Sequence, residues 1–220
     1  ITAIVSFVIV GWSGDSQAVL MFKQQPMKMA SAEALYETAA PAPFSIFTVG
    51  TLDGSKPLFS VDIPHGLSLL ATHSWDGSVT GINQLQEQYV QQYGPGDYRP
   101  NIPMAYWSFR LMILGGGLAV LFAIWALWAT RKGRVPTSSW FRRIAIISPL
   151  FPLLGTSLGW IFTEMGRQPW IVFGLMKTEN GVSPGISGWQ VWVSVIVFTL
   201  LYAGLAVIEV GLLRRAVLIG

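Results

Sequence analysis

Three long stretches of the chain carry almost no charge: about Met104–Thr130, about Ile144–Thr163 and about Trp189–Leu213. Each approaches or exceeds the roughly 20 residues that a helix needs to cross a bilayer. The pattern therefore predicts three transmembrane helices. A fourth run, Ile1–Trp12, is too short to cross and lacks an initiator Met, a basic leader and a small-residue cleavage site, so it reads as the end of a truncated transmembrane helix rather than a signal peptide. Between it and the first full span lies a polar segment, residues 13–103, rich in Gly, Pro and Gln and holding most of the acids: Asp15, Glu33, Glu37, Asp53, Asp62, Asp76, Glu87 and Asp97.

Basic residues order the topology. Arg131, Lys132, Arg134, Arg142 and Arg143 join the first two full spans, and Arg214 and Arg215 follow the last, with no acid among them. Three alternating spans put both clusters on one side, which the positive-inside rule makes cytoplasmic. Residues 131–143 and the C-terminus are then cytoplasmic, whereas residues 13–103 and the Glu164–Gly188 connection face outward. Trp107, Trp170 and Trp189 toward the outer ends, with Trp128 and Trp140 toward the inner ends, fit interfacial aromatic belts, although any one of them could simply fill helix packing. The expected fold is all-α: a polytopic transmembrane helical bundle, residues 104–220, with a large extracytoplasmic loop, residues 13–103, after the helix end at 1–12.

Composition narrows the chemistry. Of 220 residues 52% are hydrophobic and 11% charged, and the net charge of +3 makes nucleic acid a poor partner. The absence of cysteine removes disulfides, thiolate metal sites and iron–sulfur clusters together. His65 and His73 both lie in the polar segment, so no apolar run offers an imidazole to a metal or haem.

Ionisable groups inside hydrocarbon cost about 2.5–3.5 kcal/mol each on insertion scales, so those that persist call for an explanation. Arg110 lies about two turns into the first full span, and Glu164 closes the second before Gly166 and Pro169, which places both toward the outer leaflet. Glu209 sits near Arg214, where an ion pair accounts for it. Met112, two residues past Arg110, precedes Gly115-Gly116-Gly117, a glycine run that lets a helix or a flat cofactor approach closely; taken alone, a Met there is core filler. Trp160 and Glu164 are four apart and share a face, with Arg167 three further on. That stripe could hold a charged redox cofactor, or be a belt tryptophan beside a structural Glu–Arg pair. Pro26-Met27-Lys28-Met29-Ala30 begins a short helix just after the first stretch. On it Lys28 and Glu33 are offset by roughly 140° and need not touch. They could bind and deprotonate a quinol hydroxyl, or be solvated surface charges.

Three blocks together resemble subunit I of the cytochrome bd quinol oxidases: Gln24-Gln25-Pro26-Met27-Lys28-Met29 with Glu33; Met104-Ala105-Tyr106-Trp107-Ser108-Phe109-Arg110-Leu111-Met112; and Gly159-Trp160 with Glu164-Met165-Gly166-Arg167-Gln168-Pro169-Trp170. The resemblance implies that the first block opens an external quinol-binding loop in which Lys28 and Glu33 serve quinol oxidation. It implies Met112 as an axial ligand of a low-spin b haem iron, with Arg110 close to the haems. Glu164 would ligate the iron of a high-spin b haem, Arg167 would offset charge there, and Trp160 would lie on the electron route. The likeness covers the family's second half only. The histidine completing the low-spin site and the ligands of a d-type haem would lie in an N-terminal half that His65 and His73 cannot replace. The middle of the loop, about Pro41 to Gly96, carries no match.

The resemblance thus implies a quinol:oxygen oxidoreductase, multi-pass in a bacterial cell membrane. It would oxidise quinol at the outer face and pass electrons through two b haems to a d-type haem that reduces oxygen to water, generating a proton motive force without pumping. Expected partners are the N-terminal half of the subunit, oxidase subunit II, small single-helix subunits, lipid, quinol and oxygen. The alternatives are a haem-free helical transporter with Arg110 and Glu164 lining its path, and a haem-free subunit that only anchors a partner.

Overall fold

The computed structural model describes residues 1–51 and 56–219, so the acidic Asp53 lies outside the described residues. Two units separate, Ile1–Thr178 and the chain from Glu179 onward.

In the first unit, α1 runs over Thr2–Gln24, twice as far as the apolar run Ile1–Trp12 on which the expectation rested. Ser13, Gly14, Asp15, Ser16 and Gln17 interrupt the hydropathy without interrupting the helix, and the whole element is long and apolar enough to cross a membrane. It stops where Pro26 disfavours helical geometry at the residue before it: Gln25 sits at φ −137°, ψ 63°. The same proline then occupies the first turn of α2, Pro26–Ala32, as its fixed φ allows. The short helix expected here is present, with Met27, Met29, Ala30, Ser31 and Ala32 buried.

Residues 33–101 are not a plain loop. An antiparallel hairpin joins β1, Phe44–Gly50, to β2, Pro57–Ile63, followed by α3, Gly66–Thr72, and α4, Ile82–Tyr93. Ser45 pairs with Asp62 and Phe47 with Val61, so Ile46 is the extra residue of a bulge. That bulge puts Ser45 and Thr48, three apart, on the same face with Asp62 and Ser60, and leaves Phe47, Val49, Phe59 and Val61 on the other.

The expected span at Met104–Thr130 is α5, Ile102–Thr130. Asn101 caps it, its side-chain oxygen accepting from the Met104 amide at 3.0 Å. Its 29 residues reach about 43 Å, ample for a bilayer core of about 30 Å. The next expected span lies within Ser139–Met165, a helical stretch long and apolar enough to cross a membrane, in which Pro149 interrupts the hydrogen bonding between α6, Ser139–Ile147, and α7, Leu150–Met165, while Ser148 and Pro149 keep helical backbone angles. A short pairing of β3, Trp170–Val172, with β4, Met176–Lys177, comes next. The second unit contains α8, Gly188–Ile219, a fourth helix long and apolar enough to cross a membrane.

Glycines set the distance between α5 and α7. A Cβ on Gly115 would lie 2.9 Å from the Phe151 carbonyl oxygen and 3.2 Å from Gly155 Cα, both backbone atoms that cannot swing aside. Gly115→Val should therefore lower the assembled protein's stability by about 1–3 kcal/mol, checked as an earlier midpoint of thermal unfolding in detergent. Two buried clusters seat α2 on this pair. Ala32 packs with Ala105 and Phe162, while Met27 and Ala30 join Ile82, Leu85, Tyr89, Tyr98, Ile102 and Trp170.

Candidate functional site

Glu33 follows α2 directly as its C-terminal cap, so a carboxylate enters the space between α2, the hairpin and α5. Arg110 meets it from α5: Nη2 donates to Oε2 at 2.5 Å and Nη1 to Oε1 at 3.3 Å, a two-pronged contact. The Ser45 amide adds a third donor at 3.3 Å. Both side chains are buried, 9% exposed for Arg110 and 2% for Glu33, which removes the solvated-charge reading of Glu33. Burial pushes the Glu33 carboxyl up to about 7, against the opposing charge and hydrogen bonds of Arg110 and the bond from Ser45, with Asp62 adding to the rise. Rings close around the guanidinium: Phe44 at 4.6 Å, Tyr106 at 4.9 Å and Phe109 at 5.3 Å from Cζ. Its Nε is buried without a hydrogen-bond partner.

Lys28 takes another direction, as its helical offset from Glu33 requires. Its Nζ donates to the Thr163 carbonyl of α7 at 3.3 Å and lies 4.9 Å from the Phe162 ring centre. Burial holds its ammonium below the usual lysine range, Arg167 adds to the lowering and Glu164 opposes it.

These groups converge on a cavity of about 720 Å³ between α1, α2, α5 and α7, lined by Lys28, Glu33, Phe109, Met112, Gly159 and Phe162 among others. The volume falls within the range of about 300–1,000 Å³ usual for ligand and cofactor sites. Met112 presents its thioether beside Gly159, where a Cβ would come within 2.8 Å of Sδ. A soft sulfur donor beside flat, Cβ-free backbone, with an arginine nearby that keeps one N–H unpaired, fits a haem and its propionates.

The other candidates lie apart from this cavity. Glu164 is half exposed and pairs with Arg167, the structural ion pair that the spacing left open. Trp160 is 71% exposed. Arg110 and Glu164, expected together along a transport path, each have their own partner instead. His73 contacts Asp15 at 3.2 Å and His65 contacts Asp76 at 3.5 Å, all partly or fully exposed. Sequence reasoning missed Ser45 and the α1 wall of the cavity, where Gly11, Gly14, Gln17 and Ala18 contribute, and quoted Gly159 in a matching block without giving it a role. The spaced small residues of α1 were the available signal.

Fold and site together define a helical membrane protein built around a cofactor-sized cavity that holds a thioether and a paired carboxylate. The chain belongs to the cytochrome bd terminal oxidase subunit I family, whose sequence profile matches residues 1–220. It is 40% identical over 209 residues to cytochrome bd ubiquinol oxidase subunit 1 of Bacillus subtilis (strain 168), covering 94% of this chain and 45% of that one. It is 27% identical over 264 residues to cytochrome bd-II ubiquinol oxidase subunit 1 of Escherichia coli (strain K12), covering 94% and 51%. The solved bd oxidase from Geobacillus thermodenitrificans superposes with a TM-score of 0.77 at 29% identity, over 97% of this chain and 46% of that one. The chain thus spans about half the length of the curated relatives it matches.

Proposed function

We propose that this chain is the quinol-oxidising, b-haem-bearing part of the catalytic subunit of a bd-type quinol:oxygen oxidoreductase. The observation that carries the reading is the cavity in which Met112, Lys28 and Glu33 meet. Met112 is assigned to the iron of a low-spin b haem and Glu164 to that of a high-spin b haem, with Arg110 and Arg167 as their nearby positive charges and Trp160 on the electron route between them. When bound, the b haems would supply single-electron acceptors for quinol, and a d-type haem, ligated mainly from outside this chain, would supply the site where oxygen is reduced to water.

The residues present supply binding and proton chemistry. Lys28, held on Thr163, presents an ammonium that donates to a quinol oxygen. Glu33, buried and near neutrality in its titration, takes the quinol hydroxyl proton. Phe109 and Phe162 line the cavity and give the quinol ring apolar walls. Residues 13–103 form the extracytoplasmic quinol-binding region, although residues 13–24 belong to α1; residues 104–220 carry the haem ligands, and residues 131–143 and the C-terminus are cytoplasmic. Quinol protons then leave outside while those consumed with oxygen come from inside, so a proton motive force arises without a pump. Partners on this reading are the N-terminal half of the subunit, subunit II, small single-helix subunits and membrane lipid.

The test is a reduced-minus-oxidised visible spectrum of the complex purified from membranes through this chain, with pyridine extraction to count haems. Bands of b haems with a red-shifted chlorin band are expected. An intact complex without haem would refute the assignment.

A further inference from the structure

Glu33 is a wall between two spaces. On one side is the cavity with Met112 and Lys28; on the other is a second cavity of about 290 Å³ whose polar lining residues include Glu33, Glu37, Ser45, Thr48, Ser60 and Asp62. The bulge at Ile46 gives the second space its line of polar groups, because it puts Ser45 and Thr48 on the side of Ser60 and Asp62. Those groups form two hydrogen-bonded sets. Ser45 Oγ lies 2.6 Å from Thr48 Oγ1 and 2.8 Å from Tyr106 Oη, and Ser60 Oγ donates to Asp62 Oδ2 at 2.7 Å. The chain of groups also grades from inside to outside: Glu33, Ser45 and Thr48 are buried, whereas Ser60, Asp62 and Glu37 are exposed. At about 30 Å³ per molecule such a space admits a file of several waters.

We propose that this hydroxyl-lined cavity is the exit by which protons leave Glu33 for the surrounding water, with the Ser45–Thr48 pair as relay and Asp62 as the outer acceptor. One proton moves per step. The Glu33 carboxylic O–H gives its proton to a water in this space, which passes one on to a hydroxyl of the relay; that hydroxyl releases its own through a further water to the Asp62 carboxylate and then outward. Glu33 is left as the carboxylate that Arg110 stabilises, and no electrons move. The charged groups facing Glu33 are Arg110 from α5, Lys28 of α2 and Asp15 of α1 across the larger cavity, Asp62 and Lys56 from the hairpin, and Glu37 beyond α2. Asp62 therefore has two effects, accepting the proton and biasing Glu33 toward its protonated form. The inference rests on Glu33 being the acceptor of the quinol proton, but its test does not require quinol.

The experiment uses the assembled complex in membranes. Infrared difference spectra record the Glu33 carboxyl band, assigned by its loss in Glu33→Gln, and the rate at which it exchanges with deuterated water. Asp62→Asn and the double variant Ser45→Ala/Thr48→Val should each slow that exchange about tenfold or more, and Asp62→Glu should restore it. Asp62 is exposed, so its substitution leaves folding intact if the double variant does not. Unchanged exchange in Asp62→Asn overturns the proposal. Failure of the quinol role shows separately, as undiminished quinol oxidation in Glu33→Gln.

Discussion

Met112→Leu should abolish the low-spin b haem absorbance while leaving the protein in the membrane in normal amount. Leucine nearly conserves the volume of methionine, a swap that usually costs under about 1.5 kcal/mol in a packed interior, so α5 and α7 should keep their contact. What disappears is the sulfur, the soft donor that stands against Gly159 on the cavity wall. On the proposed ligation, replacing it removes the sulfur donor to the haem iron without altering the cavity's size. A reduced-minus-oxidised spectrum with the low-spin band intact would place the ligand elsewhere. Gly159 should matter through the same contact, since any side chain there would press on the Met112 sulfur.

The second large effect concerns Glu33. Glu33→Gln should slow quinol oxidation by about 10²-fold or more, the usual contribution of a positioned proton acceptor, while electrons from an artificial donor still reach oxygen. The wild-type rate should climb as pH rises through about 7, because the carboxylate form that accepts the proton becomes populated only there. In Glu33→Gln that rise should vanish. Removing one partner of a buried pair leaves the other charge uncompensated, typically at about 3–5 kcal/mol, so Glu33→Gln/Arg110→Gln, which removes both charges, serves as the companion variant. Equal loss of activity with both donors in Glu33→Gln, in protein whose amount in the membrane is unchanged, would contradict a quinol-specific role.

The spans were readable where apolar residues ran unbroken, as in α5 and α8. α1 was cut short because Ser13 to Gln17 lower the hydropathy; Gly14, Asp15 and Gln17 line the cavity, which tolerates polarity that lipid would not. Pro149 was visible, and the interruption it makes between α6 and α7 leaves intact the span that hydropathy marks. The hairpin escaped because its bulge disrupts the two-residue alternation that marks a strand. Arg110 and Glu164 stood out as charges in apolar runs, and the roles of the candidates came from block resemblance, whereas the long-range partnerships did not. Glu33 and Arg110 are 77 residues apart, and no local spacing rule reaches that far. By contrast Glu164 and Arg167, a single turn apart, were legible as a pair from spacing alone.

Arg110, boxed by three rings and pinned by Glu33, has nowhere to swing. Its field in the cavity is thus a standing one, set when the protein folds rather than summoned by a ligand. Only the carboxyl beside it can change charge near neutral pH, so the pair has two settings, electrically neutral or singly positive. Each proton that Glu33 takes up or yields flips that setting, and the cavity carries a one-bit record of whether the last proton has left.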